Sequence, residues 1–344
     1  MRWVSKERES PVSDAVSSAR DEKKGSRLGP FAAVALIVLV LAAIPLLTDS
    51  PYLLHVLNLT FLTILAAVSF RTIIISGQFP LGHAAFMGIG AYASGMMAKW
   101  LGWSPWITIP LGTLVATAIG IVIGYPFSRL RAVYYAMVSL FFGIAVVQII
   151  NAGGVLSGGY SGLTGIPPLM GFSKTPYYYL FLIVTLVSLL VLYRFETCRV
   201  GTTWKAVAQS YLIASSVGVN EAFYRVYALA VGCFFAGLSG ALYAHYNFTI
   251  GTSSFDFVAT MMFLMYGVVG GMFSFAGPIV GTALLVLAPE AARGLKQYVP
   301  YISAGILLIV VYGMPRGLIG LPGMIKGLFA RRAKDGAGRA YHAS

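Results

Sequence analysis

Long apolar runs recur along almost the whole chain and are separated by short polar breaks. A helix that crosses the hydrocarbon core of a bilayer needs roughly 20 mostly apolar residues. Ten runs approach that length, at residues 31–47, 52–70, 79–98, 106–127, 133–150, 177–193, 226–246, 257–273, 277–289 and 299–313. The composition agrees, with 58% hydrophobic residues, 10% charged residues and a mean hydropathy of +0.80. We therefore predict an all-α, polytopic integral membrane protein with about ten transmembrane helices.

Two of these runs are less typical than the others. Runs 79–98 and 277–289 are glycine-rich or short, so each either spans the membrane fully or forms a broken or re-entrant helix. Around the runs, the sequence predicts a disordered cytoplasmic tail at 1–28, a transmembrane domain at 29–320 and a second cytoplasmic tail at 321–344. The longest predicted cytoplasmic loop occupies residues 194–225.

The positions of Lys and Arg predict the orientation of the chain. If the N-terminus is cytoplasmic, ten crossings leave four of the 24 basic residues outside, namely Lys99, Lys174, Arg293 and Lys296. Cytoplasmic loops of membrane proteins retain positive charge, so we expect both termini in the cytoplasm. The net charge of +13 is then a consequence of membrane topology, with lipid as the surrounding partner and no nucleic-acid role.

Uncharged polar side chains are the candidates for a solute route. The predicted spans contain no Asp, Glu, Lys or Arg away from their ends, which excludes a carboxylate-based coupling site within them. The strongest polar groups near the spans are Gln78, His83, Gln148 and Asn151, together with Asn58. They suit contact with a neutral or zwitterionic solute, and equally hydrogen bonds between helices. The glycines of segment 76–95 likewise favour either close helix packing or a broken helix beside a pathway.

The predicted cytoplasmic loop contains a short amphipathic helix. Its apolar positions follow the i, i+3, i+4, i+7 spacing of one helical face: Trp204, Val207, Ala208, Tyr211, Leu212 and Ser215. We expect one helix over 203–217, capped by Thr202 or Thr203 and ended by Gly218 in a left-handed conformation. Its apolar face either lies on lipid headgroups or docks a cytoplasmic partner.

Nothing in the sequence predicts an enzyme. The nucleotide-binding pattern G-x-x-x-x-G-K-[ST] is absent, and His83 has no carboxylate or Cys nearby in sequence. With only Cys198 and Cys233 present, we expect no metal site and no disulfide framework, and no cofactor. ATP hydrolysis, if it drives this protein, is expected on separate subunits.

Several stretches, in unbroken order from residue 71 to residue 320, resemble one family. "GQFPLGHAAFMGIGAYASG", "RLRAVYYAMVSLFFG" and "LSGGYSGLTGIPP", followed by "FFAGLSGALYAHY", "GVVGGMFSFAGPIVGTALL" and "PRGLIGLPG", are similar to the branched-chain amino acid ABC transporter permeases. The resemblance implies an ABC importer permease in a bacterial inner membrane, paired with a second permease as a heterodimer, although the sequence alone does not separate heterodimer from homodimer. It also implies two cytoplasmic ABC ATPase subunits and a periplasmic solute-binding protein.

The resemblance extends to individual residues and to the solute. Trp204, Lys205, Ala208 and Gly218 fit the segment through which the family couples to its ATPases, whereas Gln209 and Tyr211 replace the charges common there. The expected solutes are branched-chain amino acids, with urea, short amides or aromatic acids as alternatives. A stand-alone secondary transporter or channel is the alternative of another class, and it would require inverted repeats and ion-binding carboxylates.

Overall fold

The computed structural model describes residues 28–47, 50–171 and 173–291, with positions 305, 308 and 318. The chain divides into two compact units, Met1–Pro51 and Tyr52–Ser344. In the first unit, the described part is a single helix, α1 (Leu28–Leu47), which matches the first apolar run. Residues 1–27 and 319–344, which hold nearly all of both predicted tails, and most of the tenth run, 299–313, fall outside the described residues.

The second unit is built almost entirely of helices. In chain order these are α2 (Pro51–Ile74), α3 (His83–Trp100), α4 (Pro105–Phe127), α5 (Ala132–Ala152), the single-turn α6 (Gly154–Ser157), α7 (Lys174–Thr197), α8 (Arg199–Gln209), α9 (Tyr211–Ser216), α10 (Glu221–Asn247), α11 (Phe257–Gly270) and α12 (Gly277–Ala291). Two short 3₁₀ turns, Gly159–Ser161 and Thr252–Phe255, and two strands, β1 (Leu163–Thr164) and β2 (Thr249–Ile250), lie between them. The all-α fold class is confirmed.

Five helices within the described residues are long and apolar enough to cross a membrane: Pro51–Ile74, Pro105–Phe127, Val133–Ala152, Lys174–Thr197 and Glu221–Asn247. The helices at 257–270 and 277–291 are shorter, with 14 and 15 residues. Both atypical runs form unbroken helices, although α3 starts at His83, four residues later than run 79–98. The predicted start of this run at residue 79 is therefore wrong, because Gly77 has a φ of 80° and Pro80 follows it, which keeps residues 77–82 out of the helix.

Helices α3, α4 and α10 pack against one another through glycines. A methyl group added at Gly90 would collide with the backbone of Gly237, and one added at Gly240 would collide with the carbonyl of Met87. A methyl at Gly120 would lie 2.6 Å from the Cys233 sulfur. These close approaches confirm that the small residues serve helix packing, as membrane helices without a hydrophobic driving force between them require.

A two-stranded ribbon connects the loop after α6 to the end of α10. β1 and β2 are antiparallel, with Leu163 opposite Ile250 and Thr164 opposite Thr249. β2 is followed by the 3₁₀ turn Thr252–Phe255, in which Phe255 is buried. The Phe255 ring packs edge-on against the ring of Tyr92 in α3, with the two ring centroids 6.1 Å apart. The chain thus enters α11 beside the body of α3.

Helix α5 presents most of its surface to the outside of the unit. Only 17% of its most apolar stretch is buried within the described chain. A stripe of exposed side chains one turn apart comprises Met137, Phe141 and Ile144. An apolar face of this size is stable only against lipid or another apolar helix.

Candidate functional site

Gln78 lies in the loop before α3 and is buried. Its Nε2 donates hydrogen bonds to Ser76 Oγ at 2.8 Å and to the carbonyl of Arg225, in α10, at 2.9 Å. These bonds tie the 75–82 loop to the first turns of α10. The observed contacts are those of a hydrogen bond between elements, and a role of Gln78 in a solute route stays a prediction.

His83 is the first residue of α3 and is fully buried. Its Nε2 is 3.0 Å from Ser69 Oγ of α2, and its ring packs edge-on against Phe70 and Phe263. Its Nδ1 has no hydrogen-bond partner among the described residues. His83 therefore joins α2, α3 and α11, and its contact with solute also stays a prediction.

Gln148 and Asn151 lie apart from Gln78 and His83, near the C-terminal end of α5. Gln148 is exposed and continues the stripe of Phe141 and Ile144. Asn151 is partly buried, and its Oδ1 accepts a hydrogen bond from Thr252 Oγ1 at 2.9 Å. No described contact joins this pair to Gln78 or His83, so the four predicted residues form two separate groups.

A second buried histidine, which the sequence analysis missed, connects three helices. His245 Nε2 lies 2.9 Å from Ser94 Oγ and 3.2 Å from Thr108 Oγ1, and its Nδ1 is 2.8 Å from the carbonyl of Pro167. The sequence feature that could have revealed it is a histidine inside the apolar run 226–246. Because both ring nitrogens are engaged, His245 fixes the loop after β1 to α3 and α4.

The predicted coupling residues start with a tryptophan whose side chain faces the interior of this chain. Trp204 is fully buried against Leu65, Val68 and Ala228, and its Nε1 donates to the carbonyl of Tyr224 at 3.0 Å. Val207, on the same face, is also buried. For Trp204 and Val207 the expectation that lipid or a partner covers this face is therefore wrong, because the core of the chain itself covers them, whereas Leu212 of the same predicted face is exposed.

The predicted single helix at 203–217 is two helices. Helix α8 starts at Arg199 after Cys198, so Thr202 and Thr203 lie inside it, and the expected caps are wrong. The break falls at Ser210, whose extended backbone (φ −158°, ψ 106°) ends α8 and whose side chain accepts from Ile213 N at the start of α9. A serine can cap a helix N-terminus with its own oxygen, which makes the new start stable.

Gly218 ends α9 as the sequence predicts. It has a φ of 84°, its N–H bonds to the Ser215 carbonyl, and the Val219 N–H bonds to the Ala214 carbonyl at 3.1 Å. These two bonds form a Schellman motif, in which the glycine takes the left-handed position.

The exposed apolar surface of the loop lies beyond Ser210. Leu212, Ile213 and Val217 are 64%, 68% and 75% exposed, and we call these three residues the loop patch. Ala208 is also exposed, and its Cα packs beside Gly77 of the loop before α3. The loop thus contacts the core through α8 and presents the loop patch outward.

A buried ion pair lies at the same end of the molecule. Arg71 of α2 donates from Nη1 and Nη2 to Glu196 of α7 at 2.6 and 3.1 Å, and Lys205 of α8 lies 3.0 Å from the same carboxylate. Arg71 also donates to the carbonyls of Met272 and Phe273, between α11 and α12. We call Arg71, Glu196 and Lys205 the charge cluster; it connects α2, α7, α8 and the α11–α12 turn.

Comparison with known proteins identifies the family. Residues 52–315 match the model of a family described as branched-chain amino acid transport system / permease component. The chain belongs to this family. It is 28% identical over 291 residues to the high-affinity branched-chain amino acid transport system permease protein LivM of Escherichia coli K12, covering 76% of this chain and 68% of the relative. LivM of Salmonella typhimurium is 27% identical over the same number of residues, with the same coverage of both chains.

A shorter match involves the permease protein LivH of the same kind of system. LivH of Escherichia coli K12 is 30% identical over 145 residues, which cover 41% of this chain and 46% of the relative. No solved structure matches the chain. The family and the apolar helices together make the chain a multi-pass membrane protein of the branched-chain amino acid permease family.

Proposed function

We propose that this chain is the membrane-spanning permease subunit of an ABC importer that carries branched-chain amino acids across a bacterial inner membrane. The observation that carries the proposal is the family match over residues 52–315. This range contains all five described helices that are long and apolar enough to span a membrane, apart from Pro51 at the start of α2. In this proposal the termini and the 194–225 loop are cytoplasmic, which the distribution of basic residues supports.

Energy enters, in this proposal, through two cytoplasmic ATPase subunits that dock on the loop patch. Three neighbouring apolar side chains exposed by about two thirds or more are costly on a soluble surface and are covered favourably by a partner. Lys205 joins the loop to Glu196 and hence to Arg71, so a displacement of the loop acts on α2, α7 and the α11–α12 turn.

The second permease subunit packs, in this proposal, against the exposed face of α5. That face is apolar, covers most of the helix and contains Gln148, which an apolar lipid environment leaves without a hydrogen-bond partner. This chain resembles both LivM and LivH, two permease proteins of branched-chain amino acid systems. A periplasmic binding protein would deliver solute at the end that contains the ribbon and Asn151.

Reconstitution tests the proposal. The two permeases and the ATPases encoded beside them are placed in liposomes, and uptake of radiolabelled leucine is measured with the purified binding protein outside and ATP inside. We expect uptake only when both are present, and competition by isoleucine and valine. Preferential uptake of urea, acetamide or benzoate would assign the alternative solutes, whereas ion-driven uptake by the permease pair alone would establish a secondary transporter.

A further inference from the structure

A carboxyl group lies about halfway along the spanning helices. Asp256 directly precedes α11 and lines a small groove together with Leu140, Gly143 and Ile144 of α5. At a rise of about 1.5 Å per residue, Gly143 lies about 16 Å from the start of α5. Since the hydrocarbon core is about 30 Å thick, Asp256 is expected near its middle.

Two independent contacts fix this depth. Phe255 packs against Gly88 of α3, where an added methyl would lie 2.9 Å from its Cβ. Thr260, one turn into α11, accepts a hydrogen bond from the N–H of Ala84 at 3.0 Å. Because Gly82, at the start of α3, itself abuts Gly143 of α5, the beginning of α11 is held beside the centre of α5.

The carboxylate has no cationic partner in the described part of the chain. The ion pairs found there are Arg71–Glu196, Lys205–Glu196 and Arg131–Glu221. Asp256 Oδ1 accepts from the N–H of Ala259 at 3.1 Å, and among the described residues no hydrogen bond reaches Oδ2. An ionisable side chain inside a membrane is costly, and it marks a functional site unless it is paired.

The backbone donors at the start of α3, beside the groove, are already engaged. The N–H groups of His83 and Ala85 bond to the carbonyls of Pro80 and Gly82. The charged group that remains at the groove is the Asp256 carboxylate. A carboxylate forms its strongest hydrogen bonds with a cationic donor such as an ammonium group.

We propose that the groove at Asp256 binds the ammonium group of a zwitterionic amino acid during its passage. The inference rests on the proposed function and deepens it, because an ammonium-reading site distinguishes amino acids from urea, neutral amides and aromatic acids. The groove is shallow and open, and it is far smaller than a complete small-molecule site of roughly 300–1,000 Å³. It thus receives the charged end of the solute, while Ile144 and Phe257, both partly exposed at its rim, contact the aliphatic part.

The position of the groove fits a route between two permeases. Ile144 belongs to the exposed stripe of α5, and Gln148 lies one turn further toward the end that contains Asn151. A solute moving along this face meets Gln148 before it meets Asp256. The remaining wall of the route would come from the second permease.

The Asp256→Asn variant tests the proposal, because an asparagine oxygen still caps α11 while the charge is lost. The full importer is reconstituted, and uptake of radiolabelled leucine is measured beside ATP hydrolysis stimulated by leucine-loaded binding protein. We expect leucine uptake to fall about tenfold or more, since a charge-assisted hydrogen bond is lost, while ATP hydrolysis is retained. Asp256→Glu should restore part of the uptake. The matched control is Glu290→Gln, which removes another carboxylate and should transport like the wild type.

Three results would overturn the inference. Leucine uptake by Asp256→Asn within about twofold of wild type would show that the groove does not read the ammonium group. Loss of the second permease from the purified variant would show that Asp256 instead pairs with a cation of that subunit. Failure of the proposed function is distinguishable from both, because the wild-type complex itself would then show no ATP-dependent leucine uptake, and both proposals would fall.

Discussion

The loop patch gives the sharpest quantitative prediction. Leu212 and Ile213 are 64% and 68% exposed, and complete burial of such a side chain contributes roughly 1.5–3 kcal/mol. Covering the exposed two thirds of each by an ATPase would contribute about 1–2 kcal/mol per residue, or about 2–4 kcal/mol for the pair. Replacing both residues by serine should therefore weaken ATPase binding roughly 30- to 1,000-fold.

The measurement is a titration of purified ATPase subunit onto the permease pair in nanodiscs, followed by leucine uptake in liposomes. The double serine variant should keep the two permeases assembled, because neither side chain belongs to the buried core. A matched control exists at the other end of the molecule, where Val155 and Leu156 of α6 are 81% and 64% exposed. The same double serine change there should leave ATPase affinity unaltered.

An unchanged affinity for the ATPase would refute the docking role of the loop patch. If the Leu212 and Ile213 variant instead bound anionic lipid vesicles more weakly while keeping full ATPase affinity, the loop patch would be a lipid-contacting surface. A comparable loss in the Val155 and Leu156 control would show that the serine changes act through general destabilisation.

The remaining predictions concern packing, the pathway and topology. Gly240→Ala should lower the thermal unfolding temperature in detergent, because the added methyl meets the backbone of Met87 and overpacking costs about 1–3 kcal/mol. The control Gly251→Ala, where the nearest atom to the added methyl is 3.6 Å away, should leave the unfolding temperature unchanged. Gln78→Leu should spare assembly and reduce leucine uptake measured in liposomes, and a normal uptake rate would leave Gln78 a purely structural residue. Single cysteines labelled from outside, in a background without Cys198 and Cys233, should react at 174 and not at 205, whereas labelling at 205 would reverse the predicted orientation.

The helices themselves could be predicted from the sequence because apolar length is a direct requirement of the bilayer. Runs 52–70, 106–127 and 133–150 match helices that extend only a few residues further. The misplaced start at run 79–98 has a local cause, since hydropathy does not register that Gly77 and Pro80 interrupt the backbone. Run 257–273 ends early for a similar reason, at Gly271 with a φ of 109°.

The 194–225 loop shows which structural features a periodic pattern does not determine. The spacing of Trp204 and Val207 correctly indicated a buried helical face, but a repeat says only that a face is covered and not what covers it. Trp204 is covered by α2 and α10 of its own chain, which only tertiary packing determines. The Gly218 cap was predictable because a left-handed turn needs glycine locally.

Asp256 could not be predicted as a membrane-embedded residue from the sequence for a comparable reason. It directly precedes an apolar run, and a residue at the end of a run is assigned to the membrane surface. Its depth depends on Phe255 and Thr260 packing against α3, contacts that no local pattern encodes. The apolar runs contain no acidic residue away from their ends, yet the fold brings Asp256 beside the middle of α5.

The charge cluster links the loop to that groove through α11. Arg71 donates hydrogen bonds to Glu196 and also to the carbonyls of Met272 and Phe273, just after α11 ends. No other side chain offers the same set of donors in one plane. Breaking a buried ion pair costs about 3–5 kcal/mol when the remaining charge is left unpaired. Because Lys205 still pairs with Glu196, Arg71→Gln should cost less than this, but it should lower thermal stability more than Arg131→Gln does and uncouple ATP hydrolysis from leucine uptake. Arg131→Gln breaks a more exposed pair with Glu221 and should cost at most about 1 kcal/mol. Equal losses of stability and coupling in the two variants, measured by thermal unfolding and by leucine taken up per ATP hydrolysed, would contradict a role for the buried cluster in transmitting motion to α11.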